Sequence, residues 1–164
     1  MNTLGRNPGP VDMETLTLLL MFPTGRLDSD QRCGQACAWC SNPLADGASV
    51  ALGGDTVWRP HGCPACFEAR RTWMQTYLAW GRHLESCGTC QQQGAACADA
   101  DTFRIQLADA GQRAGRRPPA CARCQREFLP YEHYRPEPWD GNSGPVFSFV
   151  HILGSCLTPP AEVS

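Results

Sequence analysis

Residues 61–97 read HGCPACFEARRTWMQTYLAWGRHLESCGTCQQQGAAC. Cys63 and Cys66 open this stretch, and His83, Cys87, Cys90 and Cys97 close it. The intervening residues lack proline, and their apolar positions recur with helical spacing: Phe67, Met74, Leu78 and Gly81 on one side, with Trp73, Tyr77, Trp80 and Leu84 beside them. The segment is therefore predicted to be one long helix with metal-ligand residues at both ends. A helix of about 20 residues is about 30 Å long, so its two ends cannot share an ion. Each end must recruit the rest of its ligands from elsewhere in the chain, and that requirement organises everything else.

Eleven cysteines in 164 residues is the outlying number of the composition. Modules of a few dozen residues bury too little apolar surface to stand alone and are stapled by disulfides or metal. The apolar run from Leu16 to Phe22 is too short to span a membrane. It follows Asp12 and Glu14 rather than a basic segment, so no signal peptide is expected and a reducing, cytoplasmic setting is. Reduced thiols arranged as repeated C-x2-C pairs (Cys37/Cys40, Cys63/Cys66, Cys87/Cys90, Cys121/Cys124) point to zinc. The formal net charge is −2, and thiolate–zinc sites make it more negative, which excludes a general polyanion binder. All 14 basic residues are arginine, and with abundant Ala, Gly and Pro this reads as a high-GC bacterial genome.

The chain divides into four predicted segments. Residues 1–32 comprise a disordered start, a short helix over 11–22 ended by Pro23, and a polar linker. Residues 33–86 carry the knuckle Cys37–Cys40, strands over 48–52 and 56–59 around a Gly53-Gly54-Asp55 turn, and then Cys63 and Cys66 at the helix start. Residues 83–117 hold His83, Cys87, Cys90 and Cys97, with His83 and Cys87 four apart on one helical face. A second helix follows, capped by Asp99 or Asp101 and apolar at Phe103, Leu107, Ala110 and Ala114. Residues 118–164 hold a second knuckle, Cys121–Cys124, and strands over 128–134 and 145–152 with a turn across 138–144. His151 and Cys156 complete its ligands, with His133 as the competing histidine. Three zinc ions are thus expected, and only Cys33 is left over. The fold class is small α+β, zinc-stabilised, with a long central helix.

Knuckle, hairpin and two ligands at a helix start resemble the treble-clef zinc fingers, onto which Cys37, Cys40, Cys63 and Cys66 map one by one. The last module is similar to a zinc ribbon. His83-x3-Cys87-x2-Cys90 resembles the motif of zinc-associated anti-sigma factors, here with the fourth ligand downstream at Cys97. The whole pattern is similar to small CxxC-rich proteins of high-GC bacteria. These resemblances imply structural zinc and, for the treble-clef and anti-sigma motifs, a link to transcription regulation.

Four protein ligands leave zinc no open position for a substrate, so the sequence is read as non-catalytic. The alternative is a labile site serving a metal or redox sensor or an enzyme. His83-Leu84-Glu85 followed by Cys121-x2-Cys124 resembles the H-x-E…P-C-x-x-C signature of zinc-dependent nucleobase deaminases, with Ala120 rather than proline before Cys121. Two partner classes remain open. Arg113, Arg116, Arg117, Arg123 and Arg126 fall close together without an intervening acid and offer contacts to nucleic-acid phosphates. Trp39, Trp58 and Trp139 lie in or beside loops and offer anchors to a protein. No membrane partner is expected.

Overall fold

The computed structural model describes Leu18, residues 25–45, 47–54, 57–93, 97–129, 132–141, 144–152 and Cys156. The expected N-terminal disorder and the helix over 11–22 lie outside these residues, apart from Leu18, which is helical and fully buried. The chain forms two compact units, Met1–Arg71 and Thr72–Ser164. It is a small mixed fold of helices and two two-stranded antiparallel sheets.

In the first unit, the expected polar linker contains a helical turn, α1 (Ser29–Arg32). Asp28 accepts from the Gln31 backbone N–H while the Gln31 side chain accepts from the Asp28 N–H, a reciprocal capping box. The Gln31 amide then donates to the Cys37 and Ala38 carbonyls and to Ser41 Oγ, at 3.3, 3.4 and 3.0 Å. Gln31 is thereby both cap and brace for the first knuckle.

β1 (Val50–Ala51) pairs with β2 (His61–Gly62), not with the expected strand over 56–59. Leu52 donates to the Pro60 carbonyl at 3.0 Å, and Pro60 has no N–H of its own to donate to a ladder. Gly54, at φ +109°, lies so close to Trp58 that an added Cβ would sit 1.7 Å from its carbonyl oxygen. The partner strand therefore begins later, at His61. Leu27, Ala38 and Leu52 form the core of this unit, with Trp39 and Phe67 packed against it.

The long helix α2 runs Pro64–Ser86, and the boundary between the units falls inside it. Beyond Arg71 its buried stripe is Trp73, Met74, Tyr77 and Trp80, whereas Leu78 is exposed. Two further helices follow, α3 (Gly88–Gln93) and α4 (Ala98–Arg113). Cys97 occupies the N-cap position of α4 without a side-chain cap bond, and Asp99 and Asp101 lie in the first turn. Neither aspartate is the cap, although both carry the sign that a helix N-terminus favours.

β3 (Tyr134–Gly141) and β4 (Gly144–His151) form the second sheet, with Pro136 opposite Phe149 and Gly141 opposite Gly144. β3 thus starts later than expected and extends through most of the expected turn. Pro136 and Pro138 are tolerated because in a two-stranded sheet every second N–H faces away from the partner. Phe149 meets Trp73, Tyr77 and Tyr134 edge-on, at ring separations of 6.2, 5.3 and 5.6 Å. This aromatic cluster is the core of the second unit.

Candidate metal centres

The twelve sequence-assigned ligands gather into three sets of four: Cys37, Cys40, Cys63, Cys66; His83, Cys87, Cys90, Cys97; and Cys121, Cys124, His151, Cys156. Within each set the ligand atoms lie within 4.8 Å of one another. The first set belongs to the first unit, the other two to the second.

In the first centre, Cys37 and Cys40 sit on a tight turn. Cys37 N–H donates to the Asn42 carbonyl at 2.8 Å, Ser41 N–H donates to the Cys37 carbonyl at 2.9 Å, and Ser41 adopts φ 60°. Cys63 precedes α2 and Cys66 lies in its first turn. Cys40 and Cys63 Sγ are 3.9 Å apart, and Cys63 N–H points at Cys37 Sγ from 3.3 Å. Burial raises the Cys37 pKa, but backbone N–H groups of Cys63, Trp39 and Cys40 outweigh it and hold the thiol at about 7. Burial and the neighbouring thiols push Cys66 up. The Trp39 ring, between Cys37 and Cys40 in sequence, is capped by the Arg70 guanidinium at 4.5 Å and touches Gly62 so closely that an added Cβ would meet it at 2.5 Å.

In the second centre, His83 closes α2, Cys87 joins α2 to α3, Cys90 lies in α3 and Cys97 heads α4. The imidazole presents Nε2 to Cys97 Sγ at 3.1 Å and to Cys90 Sγ at 3.7 Å, and Cys87 and Cys97 Sγ are 3.9 Å apart. Phe103 packs on the His83 ring at 5.6 Å. Cys87 is lowered chiefly by the Cys90 backbone N–H, and burial raises Cys90 to about 11.

The third centre repeats the backbone of the first. Cys121 N–H donates to the Arg126 carbonyl, Gln125 N–H donates to the Cys121 carbonyl, and Gln125 adopts φ 60°. The residue after the first cysteine donates across to a strand in both: Ala38 to His61 and Ala122 to Phe149, each at 2.8 Å. In both, the next ligand stands two residues beyond that strand residue, Cys63 in one and His151 in the other. Cys121 and Cys156 Sγ are 3.5 Å apart, and His151 Nδ1 is 3.5 Å from Cys124 Sγ and 3.4 Å from Cys156 Sγ. Burial raises the Cys121 pKa, yet backbone N–H groups of Cys124, His151 and Arg123 bring it to about 6. The Cys121 thiol beside it raises Cys156 to about 11.

These spacings identify the chemistry. Two thiolates on one tetrahedral zinc stand about 3.8 Å apart, given Zn–S bonds of about 2.3 Å, whereas a disulfide needs about 2.05 Å. All eleven cysteines are free. Four thiolates, or three with an imidazole and no carboxylate, suit tetrahedral zinc. The three clusters fit three zinc sites.

Of the remaining candidates, exposed His133 and half-buried Cys33 both lie outside the clusters, and Cys33 Sγ lies 3.5 Å from the Asp30 carbonyl. Four of the five clustered arginines have intramolecular partners. Arg113 pairs with Asp109 and Arg123 with Glu137, both at 2.8 Å. Arg116 lies 3.9 Å over the Trp73 ring, and burial lowers it to about 10, still charged at neutral pH. Arg126 grips both oxygens of Glu132, at 2.9 and 2.6 Å, while Arg117 is exposed. Trp58 and Trp139 are exposed. Glu132 touches His151 and was not marked by the sequence, because no local spacing puts a carboxylate against a histidine nineteen residues on.

No protein-family model, curated protein or solved structure matches this chain. The donor sets define it as a protein with three four-ligand zinc sites, and its reading rests on its own residues.

Proposed function

We propose that this chain is a non-catalytic, zinc-stabilised regulatory or adaptor protein that engages another protein. The observation that carries this reading is closure: each centre brings four side-chain ligands of its own, so zinc has no position left for water or substrate. The first centre is read as a treble-clef finger, with knuckle, short hairpin and helix start in that order, and the third as its β-rich counterpart. Intramolecular pairing of Arg113, Arg116, Arg123 and Arg126 favours a protein over a nucleic-acid partner. Val57, Trp58, Leu78, Ile105, Leu129 and Trp139 are the large apolar residues exposed among those described. The deaminase-like alternative needs His83 with Cys121 and Cys124 on one ion, and these fall in separate clusters. A role in transcription regulation is the analogy offered by the treble-clef and anti-sigma motifs.

The test is stepwise chelation followed by native mass spectrometry and circular dichroism. Three zinc ions are expected, with helix signal lost as they leave, because ligation and folding are coupled. One ion leaving reversibly from an intact fold would favour a sensor or enzyme instead.

A further inference from the structure

We propose that Glu132, clamped by Arg126, is the outer-shell positioning residue of the third centre: it takes the Nε2–H of His151 and leaves Nδ1 to bind the metal. A neutral imidazole has one N–H and one lone pair, so fixing the proton on one nitrogen commits the other to the ion. Here Nδ1 faces the Cys124 and Cys156 sulfurs, while Nε2 faces Glu132 Oε2 at 3.4 Å.

An Arg126 nitrogen also lies 3.2 Å from Nε2. With Nδ1 on the metal, both of these nitrogens are donors and cannot bond each other. Their common acceptor is the carboxylate. Arg126 reaches both its oxygens, and Leu129 N–H donates to Oε2 at 2.8 Å. Glu132 is thus fixed before it meets the histidine. The His151 side chain is fully buried, and Phe128 packs on its ring at 4.6 Å, so the ring cannot swing to compensate. The arrangement is specific to one ion in three: the first centre has no histidine, and His83 offers the opposite nitrogen, Nε2, to its thiols.

This inference rests on the zinc reading of the third cluster. The test titrates the full-length zinc-loaded chain with a chromophoric chelator, counting bound ions by native mass spectrometry, for wild type, Glu132→Ala and Glu132→Gln. Outer-shell partners typically change metal affinity by about 10–100-fold. Glu132→Ala is expected to release one ion at a correspondingly lower chelator concentration and leave the other two unchanged. Glu132→Gln restores most of the difference, because its carbonyl still accepts the Nε2–H. Independently, long-range 1H–15N spectra of the wild type should show His151 protonated at Nε2 and His83 protonated at Nδ1. Three ions held equally tightly by wild type and Glu132→Ala would overturn the proposal alone, as would His151 protonated at Nδ1. Fewer than three ions in the wild type would overturn the zinc reading beneath it. If Glu132→Ala does not fold, the wild-type His151 tautomer decides.

Discussion

Tyr77 carries a hydroxyl into the aromatic core, where it donates to the Ser148 carbonyl at 2.7 Å. Burial raises its pKa above the ordinary value of 10.0, and burial raises Tyr134 likewise. For an acid, a raised folded pKa means that the unfolded chain loses its proton first as pH climbs. Above pH 10 the unfolded state therefore binds fewer protons than the folded state, and stability falls as pH rises. Below pH 10 both states hold the proton and these groups contribute no slope. Each such tyrosine contributes at most about 1.4 kcal/mol per pH unit in that window. Denaturant melts of the zinc-loaded protein at pH 8, 9, 10 and 11 should be level with respect to these groups up to 10 and decline beyond it. Tyr77→Phe should flatten the decline while costing about 1 kcal/mol at neutral pH for the lost hydrogen bond. An unchanged alkaline slope in Tyr77→Phe would assign the decline to other groups.

At the scale of elements, α2 carries ligands of two centres, Cys66 and His83, and its interior glycine is Gly81. Glycine allows close packing at this position, but an added Cβ would meet nothing within 4 Å. Glycine in a helix interior costs about 0.5–1 kcal/mol relative to alanine. Gly81→Ala should therefore stabilise the protein by that amount, read as a higher melting temperature at an unchanged zinc content. A loss of stability would mean that α2 needs the backbone freedom of glycine. The helix and the ligand sets were legible because they obey local spacing: His83 and Cys87 are one turn apart, and Cys63 and Cys66 flank a helix start. The capping box of Asp28 and Gln31 was equally local, a D-x-x-Q pattern that the polar composition around it obscured. Strand register was not legible. It depends on where Pro60 and the loop at Gly54 place the next free N–H, and on a β3 that continues through Pro136 and Pro138. Glu132 and the bracing of the knuckle by Gln31 depend on tertiary approach, which no spacing rule records.

For the molecule as a whole, the question is what replaces a large core. In the first unit one buried cluster joins Leu27, Ala38 and Leu52, with Trp39 and Phe67 partly covered, and Leu18 is buried as well. Each ordered residue costs about 1–2 kcal/mol of backbone entropy, and modules this small are usually held by metal or disulfides. Structural zinc contributes about 10–16 kcal/mol in small fingers at neutral pH, comparable with the 5–15 kcal/mol net stability of an ordinary domain. The first unit should therefore depend on its ion. Cys37→Ser removes a buried thiolate from a set that lies wholly within that unit, whereas the other two sets draw all their ligands from residues 83–156. The variant should bind two zinc ions, lose amide-exchange protection at Ala38, Leu52 and Gly62, and keep protection at Tyr77 and Phe149. Cys33→Ser, outside every cluster, should still bind three. Retention of three ions by Cys37→Ser would mean either that the vacated position is refilled, with Cys33 the nearest unassigned thiol in sequence, or that Cys37 is not a ligand. The double variant, counted by native mass spectrometry, then separates refilling, which predicts two ions, from a first centre that never needed Cys37.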